Sequence, residues 1–319
     1  MLTNEDIAAF YASAEARIQG NRNLRIPQVQ GHEAARSYFE GGGHRAVAQI
    51  PVGCGKSGLL SILPFGIARG RVLVIAPNLT IKRQLADAMD ISSADCFFRK
   101  AGVLTNLSSG PYRATLDADA NISDCNETHV VVTNIHQLSQ RAERWLPEFP
   151  DNFFDLILVD EGHHNVAPTW QQVFERFPEA RVLSVTATPF RADEQPVEGE
   201  TIYRYTFRDA MQRGYIKDMT ACNVAPSEIY FTFRGEDHHH TLEEVLELRE
   251  EDWFSRGVAL ANECNISIAD ASIQWLRHLR EGGTPHQLIA VACSLDHARQ
   301  VRAIYQERGL VPLRRVRSP

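Results

Sequence analysis

A chain of 319 residues is too long for one ordinary domain and predicts two, or one and part of a second. Hydrophobic residues at 44% and charged residues at 23% suit a soluble core, while a net charge of −7 excludes a global field that gathers nucleic acid; such contacts would rest on local arginines. The six cysteines (Cys54, Cys96, Cys125, Cys222, Cys264 and Cys293) contain no CxxC pair, which argues against a zinc site or redox dithiol and for reduced thiols in the cytoplasm.

The N-terminus, MLTNEDIAAF, has no basic region followed by an apolar run, so no signal peptide is expected. No apolar stretch nears the roughly 20 residues that span a bilayer. Residues 4–18 read as a helix capped by Thr3 or Asn4. From about residue 45, short β-rich runs alternate with turns and helical stretches. The runs are Ala46–Ile50, Arg71–Ala76, His129–Thr133, Phe154–Asp160 and Arg181–Val185. Their nearly continuous apolar character predicts strands of a mostly parallel sheet with helices on both faces. The run at 243–252 reads as an acidic helix. A helix follows through Ile273, Leu276 and Leu279, closing at Gly282-Gly283. Leu288–Ala292 reads as one more buried strand, followed by a helix over Asp296–Arg308 closed by Gly309. The predicted organisation is an N-terminal helix (1–22), a first α/β domain (23–215), a largely helical linker or insertion (216–284) and an incomplete second α/β domain (285–319).

The strongest local signal is Ile50-Pro51-Val52-Gly53-Cys54-Gly55-Lys56-Ser57, between a strand and an apolar helical stretch. That is the context of a P-loop. Gly53 and Gly55 let the backbone around Cys54 curl so that its N–H groups face a phosphate, and the helix N-terminus adds positive potential. Lys56 would reach the β- and γ-phosphates, and the Ser57 hydroxyl would bind magnesium. The chain has four lysines against 29 arginines, so a lysine here is unlike background usage. Ile50 departs from the strict motif, which has Gly at that position.

The second element is Phe154-Asp155-Leu156-Ile157-Leu158-Val159-Asp160-Glu161-Gly162-His163-His164. It predicts a buried strand with two carboxylates at its C-terminal end, the edge where open α/β sheets bind ligands. Asp160 would orient Mg2+, and Glu161 would act as general base toward water. Neither His163-His164 nor His238-His239-His240 completes a metal set, and the triplet reads as a solvated loop.

These motifs, in this order, resemble the helicase superfamily 2 motor of the DEAD/DEAH-like (DExH) group that includes restriction-enzyme helicase subunits. IPVGCGKS resembles motif I, Asp160-Glu161-Gly162-His163 motif II, and Ser184-Val185-Thr186-Ala187-Thr188-Pro189-Phe190-Arg191 motif III. Leu24-Arg25-Ile26-Pro27-Gln28 resembles the adenine-reading element, and Val72–Asn78 with Gln84-Leu85 resembles motif Ia. Val131-Val132-Thr133-Asn134 resembles a later backbone-contact motif, and Leu288–Ser294 resembles motif IV. The resemblance implies two RecA-like domains, ATP and Mg2+ as cofactors, and nucleic acid as partner, with DNA favoured over RNA. It implies that Gln28 reads adenine and that His163 couples the ATP site to the second domain. Thr186 and Thr188 would link hydrolysis to grip. Pro77, Asn78, Thr133 and Asn134 would lie along the phosphates of one strand, without base preference. The acidic segment 235–255 reads as a solvated helix or as an insertion for a protein partner. Motifs V and VI do not occur within the 319 residues. The expectation is therefore the N-terminal part of a longer helicase or translocase, weakly active alone; the alternative is an ATP-binding adaptor or sensor without turnover.

Overall fold

The computed structural model describes residues 2–117, 122–134, 137, 145–161, 168–188, 197–217, 228–233, 236–241 and 257–310. The chain divides into one unit of residues 1–218 and another of 219–319.

The first unit is built on seven strands: β1 (Arg45–Gln49), β2 (Val72–Ala76), β3 (Arg113–Thr115), β4 (Val130–Asn134), β5 (Leu156–Asp160), β6 (Arg181–Thr186) and β7 (Glu200–Arg204). They form one sheet in the order β3-β4-β2-β5-β6-β1-β7, and each neighbouring pair is parallel. Alternate residues of the central strands enter two separate cores. Val72, Val74, Leu156 and Leu158 pack into one, and Leu73, Ile75, Ile157 and Val159 into the other. That double burial is why these strands read as unbroken apolar runs.

Among the described residues the α-helices of this unit are α1 (Asn4–Ser13), α2 (Ile26–Glu40), α3 (Lys56–Ile62), α4 (Leu79–Ala88), α5 (Phe97–Lys100), α6 (Ile122–Asn126), α7 (Pro168–Arg176) and α8 (Phe207–Gln212). Thr3 and Asp6 form a reciprocal capping box at the start of α1, whose Ile7 and Tyr11 are fully inside the core. The predicted helix through residue 18 ends instead at Ser13. Ala14 turns extended, and the Arg17 N–H goes to the Val103 carbonyl at 2.7 Å. Two strands were not foreseen. β3 has three residues, and β7 is an exposed edge with the polar sequence ETIYR.

In the second unit, β8 (Glu228–Phe233) pairs antiparallel with β9 (Glu236–Thr241). The histidine triplet, expected in a loop, lies in β9. The aromatic β-former run EIYFTF supplies its partner, with Phe231 opposite His238 and Ile229 opposite His240. Helices α9 (Asn262–Glu281) and α10 (Leu295–Glu307) follow, with Ile273, Leu276 and Ile304 buried. The strand expected at Leu288–Ala292 does not form: the segment has no ladder partner among the described residues, and Ile289 and Val291 are 87% and 89% exposed. An apolar run becomes a buried strand only where neighbours exist to pair with it. The acidic run 243–252 lies outside the described residues. Among the described residues no helix is long and apolar enough to cross a membrane.

Candidate nucleotide site

Three adjacent strand ends build the site. β5 lies beside β6, and β6 beside β1, with Asp160 in register with Val185 and Gln49 with Thr186. The loop after β1 carries the phosphate-loop residues, β5 ends in Asp160 and Glu161, and Thr186 closes β6 between them. Parallel pairing makes all three ends share one edge, the edge where such sheets bind ligands.

Glycine makes the loop possible. Gly53 and Gly55 have φ of 85° and 92°, a left-handed conformation that L side chains rarely adopt. Gly55 is the N-cap of α3, so Lys56 and Ser57 begin the helix. A Cβ at Gly58 would lie 2.2 Å from Gln28 Nε2 and 2.5 Å from Phe97 Cζ, so the start of α3 is pressed directly against both. Cys54 is buried, and burial pushes its thiol up.

The Lys56 ammonium and the Glu161 carboxylate form an ion pair across this edge. Glu161 sits at φ 55°, the one left-handed non-glycine among the described residues. Its N–H bonds the Val185 carbonyl at 2.9 Å, and its Oε2 lies 3.4 Å from the Thr186 hydroxyl. Such backbone outliers mark functional positions. Asp160 is 5% exposed, and its Oδ1 has no hydrogen-bond partner among the described residues. Burial pushes this carboxyl up to about 6; Glu161 adds to the effect and Lys56 opposes it. A buried carboxylate oxygen lacking a partner is the atom a hard cation would satisfy. Ser57, half-buried in the first turn of α3, supplies a hydroxyl to the same edge. The residues present therefore fit magnesium and a triphosphate.

The Asp160 shift has a measurable consequence. A folded-state value raised above the unfolded 3.8 favours the protonated acid in the fold. The resulting stability is complete below pH 4 and is lost as pH rises through about 6. Asp160→Asn is therefore expected to stabilise the free protein at pH 8 by about 1–3 kcal/mol, with the gain vanishing toward pH 4. Thermal melts of both proteins across that range check it. A destabilised variant at pH 8 would contradict the buried-charge account.

The other expected site residues separate into two groups. Gln28 is 4% exposed; its Oε1 accepts from Arg25 N–H at 2.8 Å, and its Nε2 donates to the Gly55 carbonyl at 2.9 Å. It thus contacts the phosphate loop itself. Thr186 is fully buried, and its hydroxyl donates to the Thr188 carbonyl at 2.9 Å; Thr188 is exposed. Pro77 ends the turn after β2, and Asn78 is exposed at the N-cap of α4, accepting from Ile81 N–H at 2.9 Å. Thr133 and Asn134 differ from expectation. They are 0% and 1% exposed, the hydroxyl donates to the Leu116 carbonyl at 3.2 Å, and the Asn134 side chain accepts from Gln137 N–H at 2.8 Å. Their side chains are engaged inside the domain, because β4 is a central strand that needs its end capped. His163 lies outside the described residues.

Two residues join the site that the sequence did not single out. The Arg25 guanidinium donates to the Gly53 carbonyl and lies over the Tyr215 ring at 5.2 Å. The Tyr215 hydroxyl accepts from Ile26 N–H at 3.2 Å. Arg25 lies within the run Leu24–Gln28, a hint in the sequence; Tyr215, far along the chain, offered none.

Comparison with known proteins agrees with this architecture. Residues 21–191 match the family model described as Type III restriction enzyme, res subunit. "Probable helicase A859L" of African swine fever virus (isolate Pig/Kenya/KEN-50/1950) is 24% identical over 198 residues, covering 58% of this chain and 22% of the viral protein. The type I restriction enzyme EcoAI endonuclease subunit of Escherichia coli is 24% identical over 101 residues, 30% of this chain and 12% of that one. The chain thus spans about a fifth or less of these relatives' length. Among solved structures, a fragment from Vibrio vulnificus YJ016 assigned to the HsdR subunit of a type I restriction enzyme superposes with a TM-score of 0.54. It is 16% identical and covers 96% of this chain and 48% of its own, a likeness of fold. The parallel seven-stranded sheet is RecA-like, and the family match spans more than half the sequence: the chain belongs to the Type III restriction enzyme res-subunit family, within the restriction-enzyme type of superfamily 2 helicases.

Proposed function

We propose that this chain binds ATP with magnesium at the Lys56–Asp160–Glu161 edge and couples ATP hydrolysis to movement along nucleic acid, with DNA as the polymer. The observation that carries the reading is the Lys56–Glu161 ion pair beside a buried Asp160 oxygen that has no hydrogen-bond partner among the described residues. Family membership supports a nucleic-acid helicase or translocase in general. The restriction-enzyme names of the family and of the Escherichia coli relative favour DNA.

In this reading the ammonium of Lys56 turns from Glu161 to the terminal phosphates. The Glu161 carboxylate, with the ammonium turned away, accepts a proton from the attacking water. Ser57 and Asp160 would hold magnesium, which neutralises phosphate charge when bound. Gln28, already on the Gly55 carbonyl, keeps an amide proton for the adenine edge. Thr186 touches both Glu161 and the Thr188 turn, so it is placed to pass a change at the carboxylate toward the nucleic-acid side. Asn78 and Pro77 would meet the strand's phosphates; Thr133 and Asn134 would act there only through the backbone they support. His163 is proposed as the coupling residue on resemblance alone.

ATP hydrolysis measured without polymer, with double-stranded DNA and with RNA tests the proposal. DNA is expected to accelerate turnover several-fold more than RNA does. Nucleotide binding with no turnover under any condition would instead make the protein an ATP-binding adaptor.

A further inference from the structure

The second unit holds a cluster that the nucleotide reading does not use. Asn265 stands in the first turn of α9, and its Nδ2 donates to the carbonyls of Ala259 and Ala261, each at 3.0 Å. Those two bonds fix which end of the amide is which. Oδ1 must face the other way, and it lies 3.1 Å from His297 Nε2. An amide oxygen only accepts, so Nε2 carries the ring proton. Nδ1 is then the ring's lone-pair nitrogen. It accepts from Cys293 N–H at 3.2 Å and lies 3.1 Å from Cys293 Sγ. The thiol lies within hydrogen-bond reach of that lone pair, which it shares with its own backbone N–H, and the ring is held in one tautomer by a third residue, the arrangement that activates a nucleophile.

The surroundings favour the same outcome. His297 is 7% exposed, so its ring is held by packing, whereas Cys293 is exposed to reagents. Cys293 directly precedes Ser294, the side-chain N-cap of the thirteen-residue α10, and helix N-termini favour an anion. Asp296, the charged side chain nearest in sequence, is paired with Arg299 at 2.7 Å. The α9 group facing His297 is the neutral Asn265. By contrast Cys54, Cys96, Cys125 and Cys264 are buried, and burial pushes the Cys125 thiol up to about 11.

We propose that Cys293, His297 and Asn265 form an activated-thiol site that exchanges with small disulfides. The Cys293 proton moves to His297 Nδ1, leaving a thiolate beside an imidazolium. The thiolate attacks one sulfur of the incoming disulfide, a new S–S bond forms, and the old one breaks. Cys293 is oxidised to the mixed disulfide, the departing sulfur is reduced, and the released thiolate takes the imidazolium proton. The step uses only the disulfide itself as oxidant. Exchange chemistry is favoured because a thiol within reach of a base that can return the proton to the leaving sulfur is its whole requirement.

The test treats the full chain with oxidised glutathione at about pH 6, where an ordinary thiol with pKa of roughly 8.5 is almost wholly protonated. Peptide mass mapping follows each cysteine, with a short peptide of residues 289–295 as the unstructured reference. Cys293 is expected to form the mixed disulfide at least about tenfold faster than the peptide thiol, while the four buried cysteines stay unmodified. His297→Gln, shown folded by circular dichroism, is expected to fall to the peptide's rate, and Asn265→Ala to an intermediate one. If the histidine variant does not fold, the wild-type-to-peptide ratio decides. A ratio near one overturns the proposal, as does a folded His297→Gln protein that reacts as fast as wild type.

Discussion

Replacing Lys56 with alanine is expected to weaken ATP binding by roughly tenfold to a hundredfold while leaving the fold intact. The ammonium is the charged donor at the curl of the phosphate loop, and hydrogen bonds to charged groups contribute about 1.5–3 kcal/mol. At about 1.4 kcal/mol per factor of ten, that range gives the stated loss. The lower end applies if the ammonium gives up much in leaving Glu161, its partner in the free protein. Stability should change little, because the pair is partly exposed and Glu161 keeps the Thr186 hydroxyl at 3.4 Å. Equilibrium titration with a fluorescent ATP analogue, beside a thermal melt, checks both halves. Unchanged affinity in a folded variant would mean that the triphosphate is held elsewhere.

Glu161→Gln should separate binding from chemistry. The amide is nearly isosteric, so the left-handed turn at residue 161 and the Val185 carbonyl contact can persist. It cannot take a proton from water, and loss of a general base costs about 100–10,000-fold in rate. It also no longer competes for the Lys56 ammonium. Affinity for ATP is therefore expected to hold or tighten while DNA-stimulated hydrolysis collapses. Loss of binding in parallel with turnover would show that residue 161 shapes the loop and is not the base.

Much of this site was legible before any coordinates. β2, β4 and β5 are buried at every residue and apolar up to their C-terminal ends, and that pattern arises when a strand is covered on both faces. Lys56 after two glycines and Asp160-Glu161 at a strand end are local patterns with a chemical reason. What stayed hidden was contact between distant residues. β7 is half polar because it is an edge, so its composition carried no strand signal. Tyr215 joins Arg25 and the backbone at Ile26 across nearly the whole first unit. Thr133-Asn134 matched a motif but face inward, since a motif names residue types and not which way they point. Leu288–Ala292 had a strand's composition without a strand's neighbours.

The order of the sheet also dictates when the pocket can exist. β1, which delivers the phosphate loop, pairs with β6 and β7, both much later in the chain, and is not adjacent to β2. β1 ends at residue 49 and β6 at residue 186. At roughly 5–20 residues per second, a ribosome needs on the order of ten seconds to make what lies between. During that interval the apolar side chains of β1 have neither of its two partner strands to lie against. On the proposed reading the loop can curl around a triphosphate only after β6 has been released to flank it, so ATP would not template the early stages of folding.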